Sequence, residues 1–215
     1  MNIRTQSLFV NALTFSRVPL IFAFMGFAVV CECLQHWAWT IPAGVCMFLA
    51  GITDLLDGRL ARRWHVVSTF GKLADPLMDK VFFIVSFPTL LWVIGIQNEN
   101  RVHLVVMLVF TVLYILRDQW VTFLRAVAST YHADVSAMWL GKVRTALSFP
   151  AAGFIYAYLA YHRYLPSSWN LPLLVVVYLV EAALIVLNVY SCVVYTRVYW
   201  PYIRRAINSS DGEGA

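Results

Sequence analysis

The chain has 215 residues, 61% of them apolar and 13% charged, with a formal net charge of +5 and a mean hydropathy of +0.72. Soluble domains carry about 25% charged residues, and so oily a sequence has too little polar surface to cover a water-facing body, which excludes an ordinary soluble globule. The positive charge suits an anionic lipid surface or anionic substrates, and nothing in the pattern points to nucleic acid.

From Met1 to about Val10 apolar and polar residues alternate, as in a segment lying along a membrane interface. Runs long enough to cross a ~30 Å hydrocarbon core as helix then recur. They fall at about 12–34, 38–62, 72–96, 102–126, 142–162 and 169–196. The first continues past the length of a signal-peptide h-region and further spans follow, so it reads as retained. Trp37, Trp39, Trp64, Trp169, Trp200 and Tyr202 fall near span ends, as interfacial aromatics do. Residues 208–215 are small and polar and read as a disordered tail. No linker or repeat divides residues 1–207, which read as a single domain. The expectation is an all-α integral membrane protein of six transmembrane helices with an N-terminal interfacial segment.

Six spans leave both termini on one side. That side collects Arg4, Arg17, Arg59, Arg62, Arg63, Lys72, Arg125, Lys142, Arg144, Arg197, Arg204 and Arg205, whereas the opposite loops hold Arg101 and Arg163. Positive charge is retained in the cytoplasm, so the termini and the charged loops are expected there.

Of 11 acidic residues, four fall within 26 positions: Asp54, Asp57, Asp75 and Asp79. Asp54 and Asp57 are three apart and share a helix face at the cytoplasmic end of the second span; Asp75 and Asp79, four apart, do so at the start of the third. The short basic connection makes these helices antiparallel neighbours whose acidic faces can meet. Converging carboxylates repel and are costly to bury, and divalent cations relieve this. All-oxygen ligation favours Mg²⁺ or Mn²⁺, and His65 reads as a surface residue of the connection. Two such ions could bridge a diphosphate and stabilise attacking and leaving oxygens. Gly58 and Ala61, with Gly71 beyond, leave a gap in the side-chain wall where a base or ribose could lie. Close helix packing is the other reading of the same small residues.

The pattern D-x2-D-G-x2-A-R-x8-G-x3-D-x3-D, carried by Asp54, Asp57, Gly58, Ala61, Arg62, Gly71, Asp75 and Asp79, resembles the signature of the CDP-alcohol phosphotransferase family at all eight fixed positions. The resemblance implies a six-helix fold, a homodimer and a polar cavity open to the cytoplasm. It also implies transfer of a substituted phosphate from a CDP-linked donor to an alcohol with release of CMP. By position, Asp54, Asp57, Asp75 and Asp79 would hold two metal ions, and Asp79 would also be the general base. Gly58, Ala61 and Gly71 would shape the cytidine pocket and Arg62 would contact the nucleotide phosphates. A cation transporter, the alternative from another class, gives no reason for the glycines and Arg62 at this spacing.

Further cations bear on the acceptor. Lys80 follows Asp79, Arg117 and Arg125 lie eight residues apart on roughly one face of the fourth span, and Lys142 and Arg144 open the fifth. Arg117 sits in an apolar helix, where an unpaired charge costs at least ~2.5 kcal/mol, and Asp118 beside it points elsewhere on the helix. These cations suggest a phosphate on the acceptor; lipid-headgroup anchoring is the other reading. Asn11-Ala-Leu-Thr14-Phe-Ser-Arg17, Arg117-Asp118 with Arg125, and Gly141-Lys142-Val-Arg144-Thr145 resemble segments of bacterial phosphatidylglycerophosphate synthases, with Asp118 for Glu and Arg144 for Lys. That resemblance adds Asn11 and Thr14 to the nucleotide pocket. It implies an inner-membrane enzyme taking CDP-diacylglycerol and glycerol 3-phosphate among membrane lipids. Cardiolipin synthases share part of these motifs, so a phosphatidylglycerol acceptor stays open, as do inositol phosphate and serine.

Overall fold

The computed structural model of the chain describes residues 2–66, 69–97, 100–133 and 138–210, apart from the side chains of 69, 70, 72, 73, 75, 167, 209 and 210. Among the described residues all regular structure is helical. The helices are α1 (Ile3–Leu34), α2 (Thr40–Arg63), α3 (Thr69–Gln97), α4 (Arg101–Thr130), α5 (Trp139–Tyr161) and α6 (Ser167–Ser210), with 3₁₀ turns at Trp37–Trp39 and His162–Tyr164.

Each expected span has its helix. All but α5 are long and apolar enough to cross a membrane, which makes this an all-helical, multi-pass membrane protein. In α5, Lys142, Arg144, Ser148, Pro150, Tyr156 and Tyr158 dilute the apolar sequence. Two boundaries differ from expectation. The alternating N-terminal segment forms the opening turns of α1, and α6 runs on to Ser210, so residues 208–210 are helical rather than part of a tail. Residues 211–215 lie outside the described residues.

Three helix ends use a left-handed residue without glycine: Gln35 (φ 50°), His65 (φ 54°) and His132 (φ 54°). In each, a backbone N–H reaches back five residues, as Val66 does to the Ala61 carbonyl at 3.1 Å, so carbonyls orphaned at the helix end are satisfied. His65 thus closes α2, and its side chain is exposed.

The chain forms two compact units, Met1–Leu104 with Phe149–Val177, and Val105–Ser148 with Tyr178–Ala215. In the first, α1 packs against α2 and α3. Its buried stripe is Val10, Thr14, Arg17, Ile21, Phe24 and Ala28, and that of α2 is Thr40, Ala43, Met47, Ala50, Thr53 and Asp57. The three- and four-residue steps are those of a helix with one packed face. Phe82, Phe83 and Phe149 fill the space beside α3, with Phe149 4.4 and 4.8 Å from the other two rings. Phe22, Phe48, Leu49 and Ile84 point outward, as a lipid solvent permits.

In the second unit, Val121, Leu124, Ala128, Tyr195 and Tyr199 form the core, flanked by Met138, Tyr202 and Ile203. The buried face of α6 here reads Glu181, Leu184, Asn188, Ser191, Tyr195, Tyr199. It carries Glu181, Asn188 and Ser191 among apolar groups, so this unit is built to seat charge inside.

Candidate active site

The stripes of α1 and α2 that form the first unit's core carry polar residues at one level. Thr14 and Arg17 on α1 continue the line of Ile21 and Phe24, and Asp57 on α2 continues that of Ala50 and Thr53. Asp54 and Asp57 of α2 and Asp79 of α3 are joined through α1. Arg17 Nη2 donates to Asp54 Oδ1 at 2.6 Å and to Asp57 Oδ2 at 3.2 Å, and Nη1 donates to Asp79 Oδ1 at 2.8 Å. The Thr14 hydroxyl lies 2.9 Å from Asp57 Oδ2 and donates to it.

The Arg17 side chain is 1% exposed, whereas those of Asp54 and Asp79 are 27% and 30% exposed. The cluster is closed on its arginine and reaches the protein surface through its acids. Among the described residues no three acidic, His or Cys side chains surround a point suited to an ion by themselves, because these acids surround a guanidinium. The side chain of Asp75, the fourth expected ligand, lies outside the described residues.

The donor set nevertheless fits a hard divalent ion. Three carboxylates from two helices reach one group within 3.2 Å, all three offer oxygen donors, and two are partly exposed at the surface.

The other expected nucleotide-site residues flank this cluster in sequence. Gly58 follows Asp57, and Arg62 folds back over it: a Cβ at Gly58 would lie 3.6 Å from Arg62 Nη1. Arg62 is exposed, while Asn11, Ala61, Gly71 and Lys80 are partly buried.

The second unit holds the remaining cations. Arg117 and Arg144 are buried, Arg125 is partly buried and Lys142 is exposed. Arg117 Nε donates to Ser191 Oγ at 3.1 Å, joined there by Nη2, and its guanidinium lies over the Tyr195 ring at 5.0 Å. Arg144 donates to Asn188 Oδ1 at 3.1 Å and to Asp118 Oδ1 at 2.8 Å, and stacks over Tyr114 at 4.2 Å. The Arg125 guanidinium also lies over the Tyr195 ring, at 5.6 Å. Asp118, which sequence adjacency alone leaves as a poor partner for Arg117, lies 3.6 Å from it and bridges toward Arg144.

Three participants have no site role in the sequence reading. Arg17 counts there only as a cytoplasm-side cation and as the end of the Asn11–Arg17 segment; the signal that finds it is its place on the apolar stripe, three residues after Thr14. Asn188 and Ser191 carry no motif, and only the buried face of α6 marks them.

A multi-pass helical membrane protein with a partly exposed acidic cluster joining three helices belongs with membrane enzymes or transporters that handle cations or anionic substrates. The family model for CDP-alcohol phosphatidyltransferase matches residues 8–194, and the chain belongs to that family. The resemblance read from the eight motif positions is borne out. The chain is 36% identical over 102 residues to the CDP-diacylglycerol--glycerol-3-phosphate 3-phosphatidyltransferase of Mycoplasma genitalium, covering 47% of this chain and 39% of that protein. It is 31% identical over 146 residues to the Bacillus subtilis protein of the same name, covering 63% and 69%. To the probable cardiolipin synthase (CMP-forming) of Drosophila melanogaster it is 33% identical over 152 residues, covering 66% and 45%. The chain spans about half the length of several of the curated relatives it matches.

Proposed function

We propose that this protein transfers the phosphatidyl group of CDP-diacylglycerol to sn-glycerol 3-phosphate, giving phosphatidylglycerol phosphate and CMP. The observation that carries the reading is the convergence of Asp54, Asp57 and Asp79 on one point where α1, α2 and α3 meet, in a chain of this family. The names of the Mycoplasma and Bacillus relatives support the donor and the acceptor. The reading includes six membrane spans with termini and active site toward the cytoplasm, an inner-membrane location among lipid substrates and a homodimer. The family match runs through both units, which supports one domain over residues 1–207.

In this reading Asp54, Asp57, Asp75 and Asp79 hold Mg²⁺ or Mn²⁺, two ions per site. When bound, the ions supply Lewis-acid stabilisation of the diphosphate and of the charge developing on CMP. The rest falls to the chain. Asp79, oriented by its bond to Arg17 and open to water, takes the proton of the acceptor hydroxyl as that oxygen attacks the lipid-linked phosphorus. The bond from that phosphorus to the CMP oxygen breaks. Gly58, Ala61, Gly71, Asn11 and Thr14 shape the nucleotide pocket, and Arg62 reaches the nucleotide phosphates. Lys80, Arg117, Arg125, Lys142 and Arg144 hold the phosphate of the acceptor, so that its hydroxyl is positioned for attack. Among the described residues the buried Arg144 Nε has no hydrogen-bond partner, which supports a ligand beside Arg144.

The second reading is a cardiolipin synthase with phosphatidylglycerol as acceptor. It is favoured by the names of the Drosophila and Streptomyces coelicolor relatives and by Asp118 and Arg144, the two departures from the synthase-like segments. Inositol-phosphate and serine acceptors come after it. Purified protein with CDP-diacylglycerol and Mg²⁺ or Mn²⁺, offered each acceptor in turn, decides by CMP release. Glycerol 3-phosphate should support turnover; turnover with phosphatidylglycerol and none with glycerol 3-phosphate would reverse the order.

A further inference from the structure

Arg17 offers one guanidinium to carboxylates from both acidic pairs, and the oxygens it binds belong to Asp54, Asp57 and Asp79. Its side chain is 1% exposed and, among the described residues, its Nε has no hydrogen-bond partner, so water does little of the work of solvating this charge. Three carboxylates gathered in a partly apolar site repel one another unless a cation lies among them. A single guanidinium offsets only part of that charge. A divalent ion drawn to the same oxygens must displace these hydrogen bonds and approach a like charge.

We propose that Arg17 is a resident counter-cation, a positioning residue that holds Asp54, Asp57 and Asp79 together in the metal-free protein and yields their oxygens when a divalent ion binds. The proposal rests on the reading of these acids as metal ligands. It sets a sign that ordinary scaffolding would not give. A scaffold residue, once removed, weakens metal binding because its ligands are less well placed. A counter-cation, once removed, strengthens metal binding and makes the fold depend on the metal.

The test measures Mn²⁺ binding by loss of the free-ion paramagnetic resonance signal, and melting in detergent with EDTA or with Mn²⁺. The proteins compared are the wild type, Arg17→Met, Arg17→Lys and Asp57→Asn. Arg17→Met should bind Mn²⁺ about tenfold more tightly than the wild type. It should melt several degrees lower in EDTA and recover with Mn²⁺. Arg17→Lys, whose ammonium cannot serve all three acids, should fall between. If Arg17→Met cannot be recovered folded even with Mn²⁺, Arg17→Lys decides alone: tighter binding than the wild type supports the counter-cation, equal or weaker binding overturns it. A wild type that binds Mn²⁺ and loses it on Asp57→Asn, beside an Arg17→Met that binds no more tightly, sinks the proposal and leaves the metal reading standing. Absence of Mn²⁺ binding in every protein removes the metal reading, and this inference with it.

Discussion

Arg144 on α5 and Asp118 on α4 are joined by a 2.8 Å hydrogen bond across 26 residues of sequence, and the same carboxylate oxygen lies 3.6 Å from Arg117 Nη1. One acid serves two buried arginines. Asp118→Asn keeps the shape and the acceptor oxygen but removes the charge that both guanidinium groups share. Breaking a buried pair on one side leaves charge behind, so the substitution should destabilise the protein by about 3 kcal/mol. Asp118→Glu should recover part of the loss. Denaturant unfolding in detergent measures it, and an Asp118→Asn protein as stable as the wild type would mean that other groups, Glu181 on the same buried face of α6 among them, carry the compensation.

Arg117 separates binding of the acceptor from architecture. Its Nε is engaged with Ser191 at 3.1 Å and its face with the Tyr195 ring at 5.0 Å, so it is already aimed before any ligand arrives. Arg117→Ala should raise the KM for glycerol 3-phosphate about thirtyfold, the value of one charge-assisted hydrogen bond, and change that for CDP-diacylglycerol by about twofold at most. Ser191→Ala, which loosens the arginine without removing it, should give a smaller shift in the same direction. Equal losses for both substrates would make Arg117 a structural residue.

The helices were legible because membrane solvent imposes a simple rule on sequence: about twenty apolar residues per crossing. Where that rule stops applying, so did the reading. Nothing between Ile3 and Asn11 breaks a helix, so α1 starts a full segment earlier than its apolar run, and no Gly or Pro stands between Tyr202 and Ser210 to end α6. The spacing of the acidic residues was enough to expect the faces of α2 and α3 to meet, and Asp54, Asp57 and Asp79 do share one guanidinium. Arg17 itself was not legible, because a cation near the cytoplasmic end of a span already satisfies the positive-inside pattern and its burial leaves no mark in composition. The Asp118–Arg144 bond was hidden for a different reason: adjacency along α4 says nothing about which residue of α5 comes alongside.

Asp79 can be tested without dismantling the cluster around it. Its Oδ1 accepts from Arg17 Nη1 at 2.8 Å, and the amide oxygen of Asp79→Asn can accept the same bond. What disappears is basicity, together with one of the charged oxygens proposed to hold a metal ion, so Mn²⁺ binding is measured beside turnover. Turnover should fall about a thousandfold, within the range for loss of a general base, while binding of CDP-diacylglycerol persists at reduced affinity. CMP release and equilibrium binding on the same preparation separate the two. Full activity in Asp79→Asn would move the base to another residue.

Gly141 and Tyr195 give a test of the second unit that is independent of any assigned ligand. A Cβ on Gly141 would lie 2.8 Å from the Tyr195 hydroxyl oxygen, too close for two uncharged atoms to share the space. Tyr195 cannot swing away at no cost, because it is buried in the unit's core and its ring lies against both Arg117 and Arg125. Gly141→Ala should therefore destabilise by about 1–3 kcal/mol, as overpacking does, and should disturb Arg117 and Arg125 over the Tyr195 ring along with the core. Tyr195→Phe removes the offending oxygen and keeps the ring beneath the arginines. The double variant Gly141→Ala/Tyr195→Phe should then be more stable than Gly141→Ala alone, a coupling of the sign expected for residues in direct contact. Thermal melts of the four proteins complete the cycle. Strictly additive effects would mean that the two side chains do not share that space, and that the glycine is required for a property of the α5 backbone instead.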